Sequence, residues 1–269
     1  MPKQYFDEKY GLKPPENYER FFVPTIGEPL ANDLIRLAAL RPDERILDVA
    51  CGTGIVARLA TQQVGSNGTV AGLDVNPGML EVARSITPAG MSIEWYESSA
   101  EDMPLPDEAF DVVLCQLSLQ FMADKLAALR EMRRVLVPNG RLILNVPGPT
   151  GKIFAVLAEA MERHISSEAA GFVTHVFSLH DTTETQQLLN KADFRDIAVQ
   201  TNNKMLNLPP PKEFLWQYVH STPLAGVVAE VDEEVLAALE REVVEEWQDF
   251  EEDGTLMYQQ RIVVASARK

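Results

Sequence analysis

The stretch "ILDVACGTGIVARLA", residues 46–60, decides the fold: it runs from a row of aliphatic residues into a glycine turn and out along a helical pattern. A strand buried on both faces reads as a continuous aliphatic run rather than an alternating one. Gly52 and Gly54 remove side chains where the backbone must turn sharply and approach a ligand. The following helix aims its N-terminal amides and positive dipole end at the same place. The run Gly52-Thr-Gly54-Ile-Val-Ala57 also satisfies the dinucleotide fingerprint, with alanine at its third small position. The same physics serves nicotinamide dinucleotides, nucleoside phosphates, S-adenosylmethionine or a tight turn with no ligand, so the turn leaves its occupant open.

Outward from this turn, strand-like runs alternate with helical patterns as far as Val146. "RILDVA", "TVAGLD", "MSIEWY", "DVVLCQ" and "GRLILNV" are separated by helical spacing near 55–64, 78–85 and 125–136. Connections of that length allow a helical crossover each time, which predicts a doubly wound, mostly parallel α/β sheet. Beyond Val146 the pattern changes. "GKIFAVLAEAMERHI" reads as a helix, 171–180 as irregular with β-prone pieces, 182–191 as a helix, "FRDIAVQTN" as a strand and 211–219 as a helix. "LMYQQRIVVASARK" reads as a final strand suited to insertion beside an existing one, which brings the expected sheet to seven strands. The expected organisation is an N-terminal arm and helix over 1–44 and a ligand-binding core over 45–150. Cap and substrate elements with the sixth strand follow over 151–255, and residues 256–269 complete the core sheet.

Composition narrows the function classes. Among 269 residues, 24 basic and 40 acidic side chains give a net charge of -16, which repels a phosphate backbone and disfavours nucleic acid as a substrate. Residues 228–254 hold twelve acidic residues and one arginine, and Leu236, Leu239, Val243, Trp247 and Phe250 recur there at helical spacing. That pattern is an apolar stripe with a solvated acidic face, or a docking face for a basic partner. The two cysteines, Cys51 and Cys115, lie inside apolar runs and make no disulfide framework. No run approaches the ~20 apolar residues of a membrane span, the first residues lack an apolar signal core, and a cytoplasmic location is expected. The aromatic residues Tyr5, Phe6, Tyr10, Tyr18, Phe21 and Phe22 suit an ordered arm, with Tyr18 and Phe21 placed to close over a bound cofactor. Leu30, Leu34, Leu37 and Leu40 then mark a helix.

Twenty residues past Gly54, "AGLDVNPGML" ends its aliphatic run on Asp74. A carboxylate at the tip of the second strand can accept from both ribose hydroxyls. Asn76 can serve as the cap of the helix beginning at Pro77, which frees Asp74 for the sugar. The third loop, "SSAEDMPLPDEAFDVVLCQ", separates the alternatives. With "ILDVACGTG", "GLDVNPGMLEVAR" and "ALREMRRVLVPNGRLIL", it resembles the class I S-adenosylmethionine-dependent methyltransferases. The similarity is to the small-molecule branch that includes the ubiquinone and menaquinone biosynthesis enzymes. It covers the chain from about Tyr18 to Val146 closely and the rest loosely.

The resemblance implies a Rossmann-like methyltransferase fold with a C-terminal helical cap. It implies S-adenosylmethionine as cofactor, S-adenosylhomocysteine as product, and roles for individual residues. Ala50 and Gly52 approach the amino acid and sugar portions, Asp74 takes the ribose, and Val75 and Met79 pack on adenine. Ala100 offers its amide to the ring, and Gln116 faces the methionine part. The family commonly places Asp or Asn where Ser99 stands, so the acceptor for the adenine amine is Ser99 or Glu101. The family's Pro-Gly-Gly is Pro138-Asn139-Gly140 here, a change asparagine absorbs in left-handed backbone.

Methyl transfer is an in-line displacement in which the protein aligns the acceptor, excludes water and sometimes takes a proton. His220 in "QYVHSTP" and His175 in "FVTHVF" are the expected base or substrate contacts. No metal-ligand constellation stands out, and metal-free transfer to a small, apolar or aromatic metabolite is expected. The competing readings are a nicotinamide-dependent oxidoreductase using the same turn and a cofactor-binding protein without turnover. Nothing in the sequence selects an oligomeric state.

Overall fold

Most of the aliphatic runs become strands because both of their faces are buried. In the computed structural model, which describes residues 10, 11 and 13–269, these are β1 (Arg45–Val49), β2 (Thr69–Asp74), β3 (Glu94–Glu97), β4 (Phe110–Gln116) and β5 (Leu136–Pro147). Later come β6 (Arg195–Leu208), the two-residue β7 (Glu251–Glu252) and β8 (Thr255–Arg268). Tyr5 and Phe6 of the expected arm lie outside the described residues.

The strand order is β3-β2-β1-β4-β5-β8-β6, with β7 pairing only with β8. β1 to β5 are parallel, and β8 lies antiparallel to β5 with Leu144 opposite Ala265. The doubly wound, mostly parallel sheet is therefore present, and the seven strands expected from the sequence form its continuous path. The order reverses between β1 and β4, the switch point at which α/β sheets bind ligands beyond their strand ends.

Contacts gather the described chain into two units, each discontinuous in sequence. The first, the sheet unit, comprises Glu28–Gly148, Leu179–Asn202 and Arg261–Lys269. Its helices are α1 (Glu28–Ala38), α2 (Ile55–Val64), α3 (Pro77–Ile86), α4 (Lys125–Val135) and a later one, Thr182–Lys191. Side chains alternate along each strand. Ile46, Val70, Val112, Leu114 and Ile143 pack on one face against Leu34 and Ala38 of α1 and Ala57 and Ala60 of α2. Leu47, Val49, Leu73, Val113 and Leu144 pack on the other face against Leu129 and Met132 of α4 and Leu189 of the later helix.

The second unit comprises the residues up to Gly27, Pro149–Ser178 and Asn203–Gln260. An arm runs through Pro14–Asn17 and a π-helical stretch, Tyr18–Gly27. The helices after Gly148, in chain order and with the one already given as α7, are α5 (Lys152–His164), α6 (Ser167–His175), α7 (Thr182–Lys191), α8 (Pro211–His220), α9 (Leu224–Val228) and α10 (Glu233–Trp247). The acidic helix buries Leu236, Leu239, Val243 and Trp247, so its apolar stripe is core. The Trp247 indole donates to the Ile153 carbonyl at 3.0 Å, and the Trp216 indole donates to Glu240 at 2.7 Å.

One local expectation is corrected. Residues 171–180 read as irregular from their β-branched content, yet α6 continues through His175. The Ser166 hydroxyl caps it by accepting from the Ala169 amide at 3.1 Å, and Ala169 and Val173 are buried four residues apart on one face. Burial of that face overrides the weak helix propensity of Val173 and Thr174.

Candidate cofactor site

In the sheet unit the turn after β1 is built from three left-handed residues, Ala50 (φ 55°), Gly52 (φ 55°) and Gly54 (φ 85°). Its ends are tied down. The Cys51 amide donates to the Leu73 carbonyl at 3.0 Å, the Gly54 amide to the Cys51 carbonyl at 2.9 Å, and the Arg58 guanidinium to the Thr53 carbonyl at 2.6 Å. Asp48, at the end of β1 and buried, accepts from the Ala57 amide at 3.0 Å, and burial drives its carboxyl well above the usual range. A Cβ on Gly54 would come within 2.4 Å of the Trp95 indole. Trp95 lies opposite Gly72 in the β2–β3 register, and the missing side chain of Gly72 lets the ring reach the turn. Gly54 thus answers two demands, a backbone conformation and a packing contact. Burial likewise raises the Cys51 thiol, leaving an unreactive small residue in the turn.

At the end of β2, Asp74 is 8% exposed and accepts from the Gly52 amide and the Asn76 amide, each at 2.8 Å. Burial raises its carboxyl, with these amides opposing the shift. Asn76 caps α3 by accepting from the amides of Gly78 (2.9 Å) and Met79 (3.4 Å), as expected from its place before Pro77. Val75, beside it, is 70% exposed, an apolar side chain standing in solvent at the strand tip, and Met79 is half-buried.

The loop after β3 is joined to Asp74 through the Ser98 amide, which donates to the Asp74 carbonyl at 3.1 Å. Within it the Ser99 hydroxyl accepts from the Glu101 amide at 3.1 Å, and Glu101 accepts from the Asp124 amide at 3.0 Å. Both expected acceptors for the adenine amine therefore also build the loop. Ala100 is half-buried against the core. At the end of β4, Gln116 pairs with Asn145 of β5. The Ser118 hydroxyl donates to the Gln116 carbonyl at 2.7 Å and reaches the Ala50 carbonyl at 3.5 Å. Ala50, Gly52, Asp74, Val75, Met79, Ser99, Ala100, Glu101 and Gln116 thus all lie in the sheet unit, at the ends of β1, β2, β3 and β4 or just beyond them.

Two residues in this unit escaped the sequence reading. Thr53 and Gln120 are each 1% exposed, and the Thr53 hydroxyl and the Gln120 carbonyl oxygen have no hydrogen-bond partner among the described residues. The Gln120 amide nitrogen is fixed by donation to the Leu117 carbonyl at 2.8 Å. Thr53 stands between two glycines of the turn and Gln120 in the short helix Leu119–Phe121 after β4, and a lone polar residue in either place is too common to act on alone. Left-handed glycines, a carboxylate beside them, an apolar platform and orphaned buried oxygens together fit an adenosine-bearing ligand.

The remaining expected residues belong to the second unit. Tyr18 stacks on Phe22 at 4.7 Å, and Phe21 meets Tyr10 edge-on at 5.5 Å. His220 stacks on Tyr10 at 4.8 Å, and burial lowers its pKa to about 4. His175 lies at the end of α6, away from the buried Ala169–Val173 face. Among the described residues no three His, Cys, Asp or Glu side chains group as a metal site, and no helix is long and apolar enough to cross a membrane. A groove of about 460 Å³ in the sheet unit lies instead at the start of the strands, lined by Arg41, Glu44, Asp111, Arg141 and Arg268. Glu44 is paired with Arg141 at 2.8 Å and Asp111 with Arg45 at 3.0 Å, and none of the strand-tip residues described above lines the groove.

Residues 47–144 match the family model of a methyltransferase domain. The ubiquinone/menaquinone biosynthesis C-methyltransferase UbiE of Xanthomonas oryzae is 39% identical over 127 residues, 46% of this chain and 46% of that protein. The chain thus spans about half the length of the curated relatives it matches. Among solved structures, the YcgJ protein from Bacillus subtilis is similar with a TM-score of 0.58 at 21% identity, covering 89% of this chain and 97% of that one. The phosphoethanolamine N-methyltransferase 2 of Haemonchus contortus, solved with phosphomonomethylethanolamine and S-adenosylhomocysteine, has a TM-score of 0.59 at 20% identity, covering 99% and 58%. At such identities the two structures speak for the fold. Residues 47–144 thus match a methyltransferase domain, and the chain is similar over about half its length to the ubiquinone/menaquinone biosynthesis C-methyltransferases.

Proposed function

We propose that the protein transfers a methyl group from S-adenosylmethionine to a small organic metabolite, apolar or aromatic in character. The observation that carries this reading is the junction of three strand ends: Asp74 accepts from the Gly52 amide, and its carbonyl receives the Ser98 amide of the third loop. When bound, the sulfonium supplies an electrophilic methyl group, so the chain's task is to bind, orient and exclude water. Asp74, acceptor-only when ionised, holds the ribose hydroxyls, and Val75 and Met79 give the adenine an apolar face. Ala100 presents its amide to the ring edge, with Ser99 or Glu101 accepting from the amine. Ala50, Gly52 and Gln116 border the amino acid portion, and the orphaned Thr53 hydroxyl joins them.

His220 suits a neutral contact better than proton storage, because an imidazole with a pKa near 4 holds a transferred proton poorly. His175, at the helix end, lacks even that setting. The nicotinamide alternative is not favoured, since the matched relatives are methyltransferases. Isothermal titration with S-adenosylhomocysteine tests the reading. Stoichiometric binding of one nucleoside per chain is expected, and absence of binding at millimolar ligand overturns it.

A further inference from the structure

The loop that follows β3 is held from below by one arginine. Arg134, in the last turn of α4, directs all five of its N–H donors at that loop and at its own helix. Its Nε donates to Glu131 at 2.7 Å, and one terminal nitrogen donates to the second Glu131 oxygen at 2.7 Å and the Met103 carbonyl at 3.0 Å. The other terminal nitrogen donates to the Leu105 carbonyl and to Asp107, each at 2.7 Å. Glu131 closes the circuit by accepting from the Met103 amide at 2.8 Å. The guanidinium beside Glu131 holds that carboxyl below its usual range.

The geometry is specific. Three acceptors on the loop and two on the helix lie where a planar fork reaches them together, which a lysine point charge cannot do. Met103 and Leu105 are buried in the core beside Leu129 and Met132, so apolar packing fixes the loop's depth, and the arginine fixes its backbone. Just before the clamped residues, the Asp102 amide donates to the Ser99 carbonyl at 3.3 Å, and the Ser98 hydroxyl donates to the Asp102 carbonyl at 3.0 Å. The clamped segment and the segment carrying Ala100 are thus joined through one hydrogen-bonded turn.

We propose that the Glu131–Arg134 pair is a positioning clamp that sets how selectively this loop reads the adenine ring. The inference rests on the methyl-donor reading of the site. Neither residue touches the ligand. Their effect passes through the placement of the Ala100 amide and of the acceptor for the exocyclic amine.

The test compares two ligands on one protein: S-adenosylhomocysteine and S-inosylhomocysteine, in which an oxygen replaces the exocyclic amine and a ring nitrogen turns from acceptor to donor. The parent protein should prefer the adenosine form by about tenfold or more, the scale of one or two hydrogen bonds. In Arg134→Met that preference should shrink to within about twofold, with Arg134→Lys intermediate. Glu131→Gln, which keeps an acceptor for Met103 while losing the charge, covers the case in which Arg134→Met fails to fold. Thermal unfolding is followed alongside, because a purely structural role lowers Tm and weakens both ligands alike. An unchanged preference in variants that still bind overturns the clamp alone. Failure of the parent protein to bind either nucleoside overturns the methyl-donor reading and the clamp's role with it.

Discussion

The sheet unit and the second unit bury polar side chains for different ends. In the sheet unit Asp48, Thr53, Asp74, Gln120 and Asn145 are all buried, and all lie at or close to the ends of β1, β2, β4 and β5. In the second unit Asn17 is used as a fastener, donating to the Tyr10 carbonyl at 3.0 Å and the His220 carbonyl at 3.3 Å. The Ser221 hydroxyl returns the connection by donating to the Asn17 carbonyl at 3.1 Å. One arrangement concentrates polar groups at strand tips. The other converts polar groups into stitching between the arm and α8. The same residue types therefore gather at strand tips in one region and fasten the arm to α8 in the other, and what separates them is where in the fold they stand.

The contrast is broken most severely by filling the turn. Gly54→Ala places a Cβ against the Trp95 ring in left-handed backbone, and a loss of roughly 2–4 kcal/mol in unfolding free energy is expected, combining strain and overpacking. Adding Trp95→Ala should return the packing part of that loss in chemical denaturation, and a double variant no better than the single one would show that Trp95 is not the obstacle.

A smaller effect, confined to recognition, is expected at Asp74. Asp74→Asn keeps one carbonyl acceptor and loses the charge, so nucleoside affinity should fall about 10–100-fold by calorimetry, the scale of hydrogen bonds to a charged acceptor. Because burial raises this carboxyl, affinity in the parent protein should hold near neutral pH and decline as acidification protonates Asp74, starting above the usual aspartate range. An affinity independent of the substitution would remove Asp74 from the ribose.

The mildest effect sharpens the other side of the comparison. His220 has a folded-state pKa of about 4 against an ordinary 6.5, so its contribution to stability is present above 6.5 and is lost as pH falls from there toward 4. The ring is only partly buried, and about 1 kcal/mol between roughly pH 7 and pH 5 is the expected scale after allowing for solvent. His220→Phe, which keeps a ring against Tyr10, should flatten that part of the profile in urea titrations. Parallel profiles for the two proteins would place the acid sensitivity elsewhere.

The sheet unit was legible from the sequence because parallel strands carry their signature locally. Continuous runs such as "RILDV" and "TVAGLD" arise from burial on both faces, and a glycine turn directly after one of them marks the strand's exit into a crossover helix. Asp74 and the Asn76 cap were readable for the same reason, since a strand tip followed by Asn-Pro leaves few geometries open. The second unit was less legible. α6 was hidden because its β-branched residues oppose the helix that burial of Ala169 and Val173 imposes. The orphaned oxygens of Thr53 and Gln120 were hidden because satisfaction of a hydrogen bond depends on neighbours distant in sequence. The hydrogen bonds of Arg134 were hidden likewise, because its acceptors at Met103, Leu105 and Asp107 lie far from it in the chain.

By itself, then, the sequence determined the parallel sheet, the position of its glycine turn, the carboxylate at the second strand tip and the family to which that order of motifs is similar. These follow from periodicity and backbone preference, which act over a few residues. Only the tertiary structure decided that β8 enters beside β5, that the acidic helix turns its apolar stripe inward, and that Trp95 needs the two glycines it packs against, Gly54 and Gly72. Those outcomes depend on which surfaces meet, and residues far apart in the chain acquire their energetic roles only when packing brings them within van der Waals or hydrogen-bonding distance.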